Sequence, residues 1–259
     1  MEKFKIVRIL LIVCPLSFLG GLIDSVAGGG GLITLPGYLL AGLPPHMATA
    51  TNKCGSTFGT ILSASRFLKD GHVQIKSACT AAVCALAGAW LGAQLNLVVP
   101  DRVLTFLMLA VVPVLAVFLI RKREFGTEDR SGELPEVRLL FLSGLTGLAA
   151  GIYDGFFGPG TGTFLILIFT GLCRFDLLTA SGNTKIVNAA SNAASLVTYA
   201  ISGNVLWKVG LPAAVFGIAG NCLGSGLALK NGAKIIRPMF FVVLTLLLLR
   251  LFYNLLTEI

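Results

Sequence analysis

The stretch IDSVAGGGGLITLPG, residues 23 to 37, places four consecutive glycines, Gly28 to Gly31, inside sequence that otherwise reads as membrane-spanning. Asp24 stands just before the glycines, and Thr34 and Pro36 just after. From Ile9 to Leu43 the apolar run is too long for one crossing, at about 52 Å as a single helix, and too short for two full crossings with a turn. The spacing predicts a helix, a break at the glycines and a half-helix starting near Leu32.

The surroundings fit that reading. The 259-residue chain is 55% hydrophobic and 12% charged, against about 25% charged in an ordinary soluble domain. Its mean hydropathy is +0.87. Apolar runs of membrane length recur from end to end, so the expected fold class is an all-α membrane protein, a polytopic helical bundle in the lipid bilayer. The net charge of +8 is read as basic loops that orient the chain in a membrane rather than as a nucleic-acid surface.

The chain also contains itself twice. GLIDSVAGGGGLITL (21–35) lies over GIYDGFFGPGTGTFL (151–165), which sets Asp24 on Asp154 and Gly28 and Gly30 on Gly158 and Gly160 at an offset of 130. Farther on the offset is 132, which brings Lys53 onto Lys185, Gly71 onto Gly203 and AAVCALAGAWLGAQL (81–95) onto AAVFGIAGNCLGSGL (213–227). Residues 1–122 and 137–259 therefore read as two homologous transmembrane repeats, each with a broken first helix, joined by a charged linker over 123–136. Each half holds four membrane units, about eight segments in all: roughly 6–43, 48–67, 74–97 and 102–121, then 137–172, 178–201, 206–229 and 234–256. The N-terminus, with Lys3, Lys5 and Arg8 before an apolar run and Ser25-Val26-Ala27, could pass for a signal peptide, but the same segment recurs in mid-chain. With one net crossing per unit, the basic residues of the N-terminal tail, the 66–76 loop, the linker and Lys208 share one side, which predicts both termini in the cytoplasm. An extra crossing in each broken unit would make the halves inverted instead.

A glycine run in lipid frees backbone N–H groups that need partners, and is tolerated where the backbone lines a cavity or is buried in protein. A helix beginning at the break aims its positive end there, a setting that favours anions. The candidate substrate site is drawn from Gly28, Gly29, Gly30, Gly31 and Thr34 with Gly158, Gly160 and Thr161 of the second half. Lys53 and Lys185 lie inside apolar units, where a charge is costly and marks function by default, although a snorkelling lysine is the bland alternative. Asn52 and Ser56 accompany Lys53, and Asn183, Asn188 and Asn192 accompany Lys185. Asp24 and Asp154 read as caps of the breaks or partners of the lysines, or else as protonatable carboxylates that couple transport. Gly88xxxGly92 and Gly220xxxGly224 read as helix-packing motifs, within the bundle or between the two copies of a homodimer.

Other classes find little support. The six cysteines are scattered and His46 and His72 stand alone, so no metal site is expected. There is no HExxH, no GxSxG and no GxxxxGK[ST], so neither an intramembrane enzyme nor an ATP-driven pump is expected, and no cofactor.

GLIDSVAGGGGLITLP, AGLPP and ATATNK in the first half, with YDGFFGPGTGTF and NTKIVNAASN in the second, resemble the sulfite exporter TauE/SafE family of bacterial membrane permeases. The resemblance runs over nearly the whole chain. It implies a permease of seven to eight membrane segments in the bacterial cell (inner) membrane, moving sulfite, a sulfonate such as sulfoacetate, or a related sulfur or organic anion. An anion channel and a scaffold without transport activity are the alternatives.

Overall fold

The computed structural model describes residues 2–100, 126, 128–236, 238 and 239, with the side chains of the first five residues excepted. The expected segment over 102–121 and most of that over 234–256 lie outside the described residues. Helices α1 (Glu2–Ala27), α2 (Gly31–Leu40), α3 (Pro45–Lys69) and α4 (Ile75–Val98) precede the linker. Helices α5 (Glu136–Phe156), α6 (Thr161–Gly171), α7 (Leu177–Ile201) and α8 (Trp207–Asn231) follow it, and no strand occurs among the described residues.

Both expected breaks are present. Gly28, at φ +77°, ends α1, and a 10-residue half-helix restarts at Gly31. In the second stretch Gly158 and Gly160, at φ +94° and +82°, flank Pro159 before the 11-residue α6. A left-handed backbone there requires glycine. Elsewhere the caps are local. The Asp176 carboxylate accepts from the Leu178 and Thr179 amides to start α7, and the Gln74 side chain accepts from the Ser77 amide to start α4.

The half-helices turn back. Gly30 and Thr34 lie against Gly20, and Gly37 against Leu16, so α2 retraces α1 toward the end of the bundle where the chain began. From there α3 runs to the other end and α4 returns. Ser77 meets Ser143, Ala85 meets Gly151 and Asn96 meets Phe156, so α5 runs parallel to α4. Gly220 packs on Phe18 and Gly224 on Leu22, so α8 runs parallel to α1. Lys53 meets Asn192 while Phe67 meets Gly182, so α3 and α7 are antiparallel. Gly88 and Gly92 press on α5, and Gly220 and Gly224 on α1, so both GxxxG pairs are contacts within this bundle. Small residues suit such contacts, because lipid offers no hydrophobic drive and close backbone approach must supply the packing energy.

Four helices, Ile6–Ala27, Ile75–Val98, Glu136–Phe156 and Trp207–Asn231, are long and apolar enough to cross a membrane. Helices α3 and α7, 25 residues each, match them in length but carry the lysines and amides. They lie against each other, with α8 also on α3 and α4 also on α7. The polar helices are thus inside and the apolar ones around them. The linker is docked by Glu133, which takes Arg130 and Arg174 at 2.6 Å each; these guanidiniums hold its carboxyl below the usual range.

One expectation about sidedness is corrected. Because α2 retraces α1, the first unit of the chain returns to its own end. The N-terminal segment and Lys208 therefore lie at the end opposite the 66–76 loop and the linker, and grouping them was an error of the one-crossing assumption. Among the described residues the linker end carries Arg66, Lys69, Lys76, Arg130, Arg138, Arg174, Lys230 and Lys234, against Lys3, Lys5, Arg8 and Lys208 at the other. By the positive-inside bias the linker end is the one expected in the cytoplasm. In a cysteine-free background, Asp129→Cys and Ser202→Cys are expected to react with an impermeant maleimide from opposite sides of the membrane, Asp129→Cys from the cytoplasmic side; labelling of both from one side refutes this topology.

Candidate functional site

The two breaks meet. The Thr163 amide donates to the Gly28 carbonyl at 3.2 Å, and the Thr163 hydroxyl to the Ala27 carbonyl at 2.9 Å. Gly28 lies directly on the Gly162 backbone, where a methyl on either residue would collide with the other. Gly31 packs on Pro159. The N-termini of α2 and α6 therefore converge on one place, and both bring the positive ends of their dipoles. The Gly31 and Gly162 amides make no hydrogen bond among the described residues.

Each lysine crosses to the other half of the chain. Lys53 on α3 sits 2.7 Å from the Asp154 carboxylate at the end of α5 and donates to Asn192 Oδ1 at 2.9 Å. Asp154 also accepts from the Ser191 hydroxyl at 2.7 Å. Lys185 on α7, fully buried, donates to the Asp24 backbone carbonyl at the end of α1 and lies 3.9 Å from the Asp24 carboxylate. Neither lysine snorkels. Both are held in the interior, and each meets an acid standing just before a break. The two pairs differ: Asp154 Oδ2 takes both a lysine and a hydroxyl, whereas Asp24 Oδ2 is buried with no hydrogen bond and Oδ1 accepts only from the Gly30 amide at 3.4 Å.

Two small cavities, about 30 Å³ each, lie at the junction. That is room for one or two waters. The first lies on the α1–α2 side and includes Asp24, Gly30, Gly31, Thr34, Asn52 and Ser56 in its walls. The second lies between the breaks, against Lys53, Asp154, Gly158, Thr161, Asn188 and Asn192, with Gly28 and Asp24. Most of the residues expected from sequence are thus brought together. Gly29 and Gly160 shape the breaks without lining either cavity. Lys185 stands behind Asp24. Asn183 is elsewhere: its side chain accepts from the Gln74 amide at the linker end.

Sequence reasoning missed Ser17, Thr60 and Asn221, which line the first cavity. Thr60 repeats one and two turns beyond Ser56 and Asn52 on the same helical face, a signal that was readable. Asn221 sits between Gly220 and Gly224 and announces nothing in sequence; it is reached because α8 packs on α3, where it accepts from Ser63 at 2.9 Å. Tyr153 and Tyr199 donate to the Pro159 and Gly155 carbonyls, at 2.7 Å each, and so brace the second break.

Apolar outer helices around two polar ones, with buried charges gathered where broken helices meet, define a multi-pass membrane protein whose polar site is internal. The family model for the sulfite exporter TauE/SafE family matches residues 13–251, and the chain belongs to that family. It is 39% identical over 236 residues to the "Probable membrane transporter protein ORF9" of a Sinorhizobium species, covering 91% of this chain and 89% of that one. It is 34% identical to the "Probable membrane transporter protein YfcA" of Escherichia coli K12, over 92% and 87% of the two chains. A "Probable membrane transporter protein" of Haemophilus influenzae is 32% identical over 96% of both. No solved structure matches it significantly.

Gly28→Ala meets both strain and collision, since the position has φ +77° and backbone against it, whereas Gly42→Ala at φ +88° has open space. A non-glycine left-handed residue alone costs about 1–3 kcal/mol. In thermal unfolding of detergent-purified protein, Gly28→Ala is expected to lose several degrees more than Gly42→Ala; equal losses would mean that the breaks do not meet.

Proposed function

We propose that this protein is a secondary permease for a small anion, with its site where the two breaks meet. The observation that carries the reading is the pair of buried lysines, each crossing to the acid before the opposite break. Intramembrane charges held this way are the usual mark of a substrate path. The Thr161 hydroxyl is spent on the Gly158 carbonyl at 2.7 Å, but two half-helix N-termini aimed at the same point supply unpaired amides and Asn188 an amide group. These donors suit an oxyanion. Substrate-site roles are assigned to Gly28, Gly30, Gly31, Lys53, Gly158, Thr161, Asn188 and Asn192, with Asn52, Ser56 and Thr34 beside them.

The relatives are named as membrane transporters, and the family description names sulfite. Sulfite, or a sulfonate such as sulfoacetate, is accordingly the substrate class proposed, and the cell membrane the place. Cavities of about 30 Å³ hold no four-atom oxyanion, so the structure represents a closed arrangement, and binding requires the two breaks to part.

Two repeats of inverted topology give a plain route to alternating access. Supporting that organisation, α1 on α8 corresponds to α5 on α4, and α3 on α8 to α7 on α4. Left-handed backbone recurs at the offsets found in sequence: Gly28 with Gly158, Gly71 with Gly203, and Gly42 with Arg174, the lone non-glycine with positive φ among the described residues. Arg174 holds a strained conformation at the turn where the first half uses glycine.

Removing Lys53 alone strands Asp154, and breaking a buried pair costs about 3–5 kcal/mol. Lys53→Met is therefore expected to express poorly, and Lys53→Met/Asp154→Asn to recover stability. If Lys53 binds substrate, the double variant stays inactive in sulfite and sulfoacetate flux into proteoliposomes. Restored flux would make the pair merely structural and sink this site.

A further inference from the structure

The two cavities at the junction differ in chemistry. The second has Lys53. The first has no lysine or arginine among the described residues that line it; its polar wall is Asp24 with the oxygen-bearing side chains of Ser17, Thr34, Asn52, Thr60 and Asn221. Several of these oxygens have already spent their protons. Thr34 donates to the Gly30 carbonyl at 3.3 Å, and Thr60 to the Ser56 and Thr57 carbonyls at 3.0 Å, so their lone pairs are free to face elsewhere. Asp24 Oδ2 is buried without a hydrogen bond, and its lysine stands 3.9 Å off. A carboxylate only 16% exposed and held by so loose a pair is stabilised by any further cation that reaches it. The carboxyl end of α1 and the N-terminus of α2 meet at this cavity, so the opposite poles of their dipoles offset each other there.

The second half offers a comparison within the molecule. At the positions that align by the sequence offsets, Gly147 stands for Ser17, Phe164 for Thr34 and Ala89 for Asn221, while Asn52 and Thr60 keep polar counterparts in Thr184 and Asn192. There the acid, Asp154, holds both Lys53 and Ser191 on its Oδ2. Three of the oxygen-bearing positions around Asp24, whose lysine is held loosely, are thus without an oxygen around Asp154, whose lysine is held at 2.7 Å.

We propose that the cavity at Asp24 binds a sodium ion. A space of about 30 Å³ fits one small dehydrated cation, and hydroxyl, amide and carboxylate oxygens are the ligands a hard cation takes. Asp24, Gly31, Asn52, Ser56 and Thr60 line both cavities, so the cation lies directly beside the proposed anion site. Lys53, Lys185, Asp24 and Asp154 sum to zero charge. An anion added alone leaves the buried junction negative, whereas an anion with sodium leaves it neutral. Coupling to uptake rests on the permease reading; the binding of sodium does not.

The test uses the purified full-length protein in choline chloride at fixed pH, with sodium or potassium chloride titrated in, read by radiolabelled sodium binding and by thermal unfolding. Saturable sodium binding and stabilisation that potassium does not reproduce are expected. Asp24→Asn is expected to abolish both but can misfold. Thr34→Val and Thr60→Val keep the side-chain shape while removing an oxygen, and each is expected to weaken sodium binding about tenfold, the worth of roughly one good ligand. Thr170→Val, another buried hydroxyl far along α6, is expected to bind as the wild type does. Absence of saturable binding, equal binding of potassium, or wild-type affinity in both valine variants overturns the site. Sodium binding without anion flux in proteoliposomes would sink the permease reading and leave the cation site standing. Flux driven by a pH gradient and indifferent to sodium would overturn the coupling of this cation to transport and leave the permease reading.

Discussion

Everything at the centre of this molecule depends on backbone meeting backbone at Gly28 and Gly162. Two helices stop inside the bundle, and their unpaired amides have no water to turn to. The contact partly answers that need, since Thr163 gives its amide and its hydroxyl to the carbonyls of Gly28 and Ala27. It also leaves the amides of Gly31 and Gly162 at the ends of two half-helices. Side chains larger than hydrogen would hold the breaks apart and dissolve the site. The glycines are therefore a steric requirement first, and an electrostatic one as a consequence.

The arrangement of the remaining helices follows from what must be hidden. Helices α3 and α7 carry lysines, amides and hydroxyls that no lipid-facing surface would accept, so they pack on each other and are covered by more apolar neighbours. The covering helices approach closely through Gly88 and Gly92, Gly147 and Gly151, and Gly220 and Gly224. Close approach brings α1 and α5 near enough for the acids at their ends to reach the lysines of the polar pair. The charges therefore share one place because the small-residue interfaces set the spacing, and the ion pairs contribute a register more than a net stabilisation, as buried pairs generally do.

The sequence made the broken helices legible because four glycines beside an acid leave a helix little alternative, and the lysines stood out because charge inside an apolar run is rare. Local pattern could not show the direction of α2. Whether a half-helix continues onward or folds back is decided by Gly20 and Leu16, which offer Gly30, Thr34 and Gly37 a surface. That one turn inverts the sidedness of everything after it, which is why counting basic residues unit by unit misled. Partner choice was hidden for the same reason. Asn188 and Asn192 share a helical face with Lys185, yet Asn192 serves Lys53 of the other polar helix. Asn183 has the same amide and the same neighbourhood in sequence, but at its depth on α7 it meets only the start of α4.

The two lysine–acid pairs are alike in plan and unlike in completion, and the difference bears on how such a site could work. A site in which both acids were clasped, as Asp154 is by Lys53 and Ser191, would hold its breaks together and give an arriving anion nothing to exchange for. A site with both acids open would be too costly to bury. With Asp154 closed and Asp24 open, the junction keeps one firm clasp and one unsatisfied carboxylate beside it. On the permease reading, an anion that competes for Lys53 must loosen the firm clasp. The freed Asp154 then adds its negative charge to that of the anion in one small space. Whatever positive charge Asp24 has gathered, from Lys185 or from an ion, decides whether that moment is accessible. The acid that leaves Lys53 to Asp154 would thereby govern when that lysine is released.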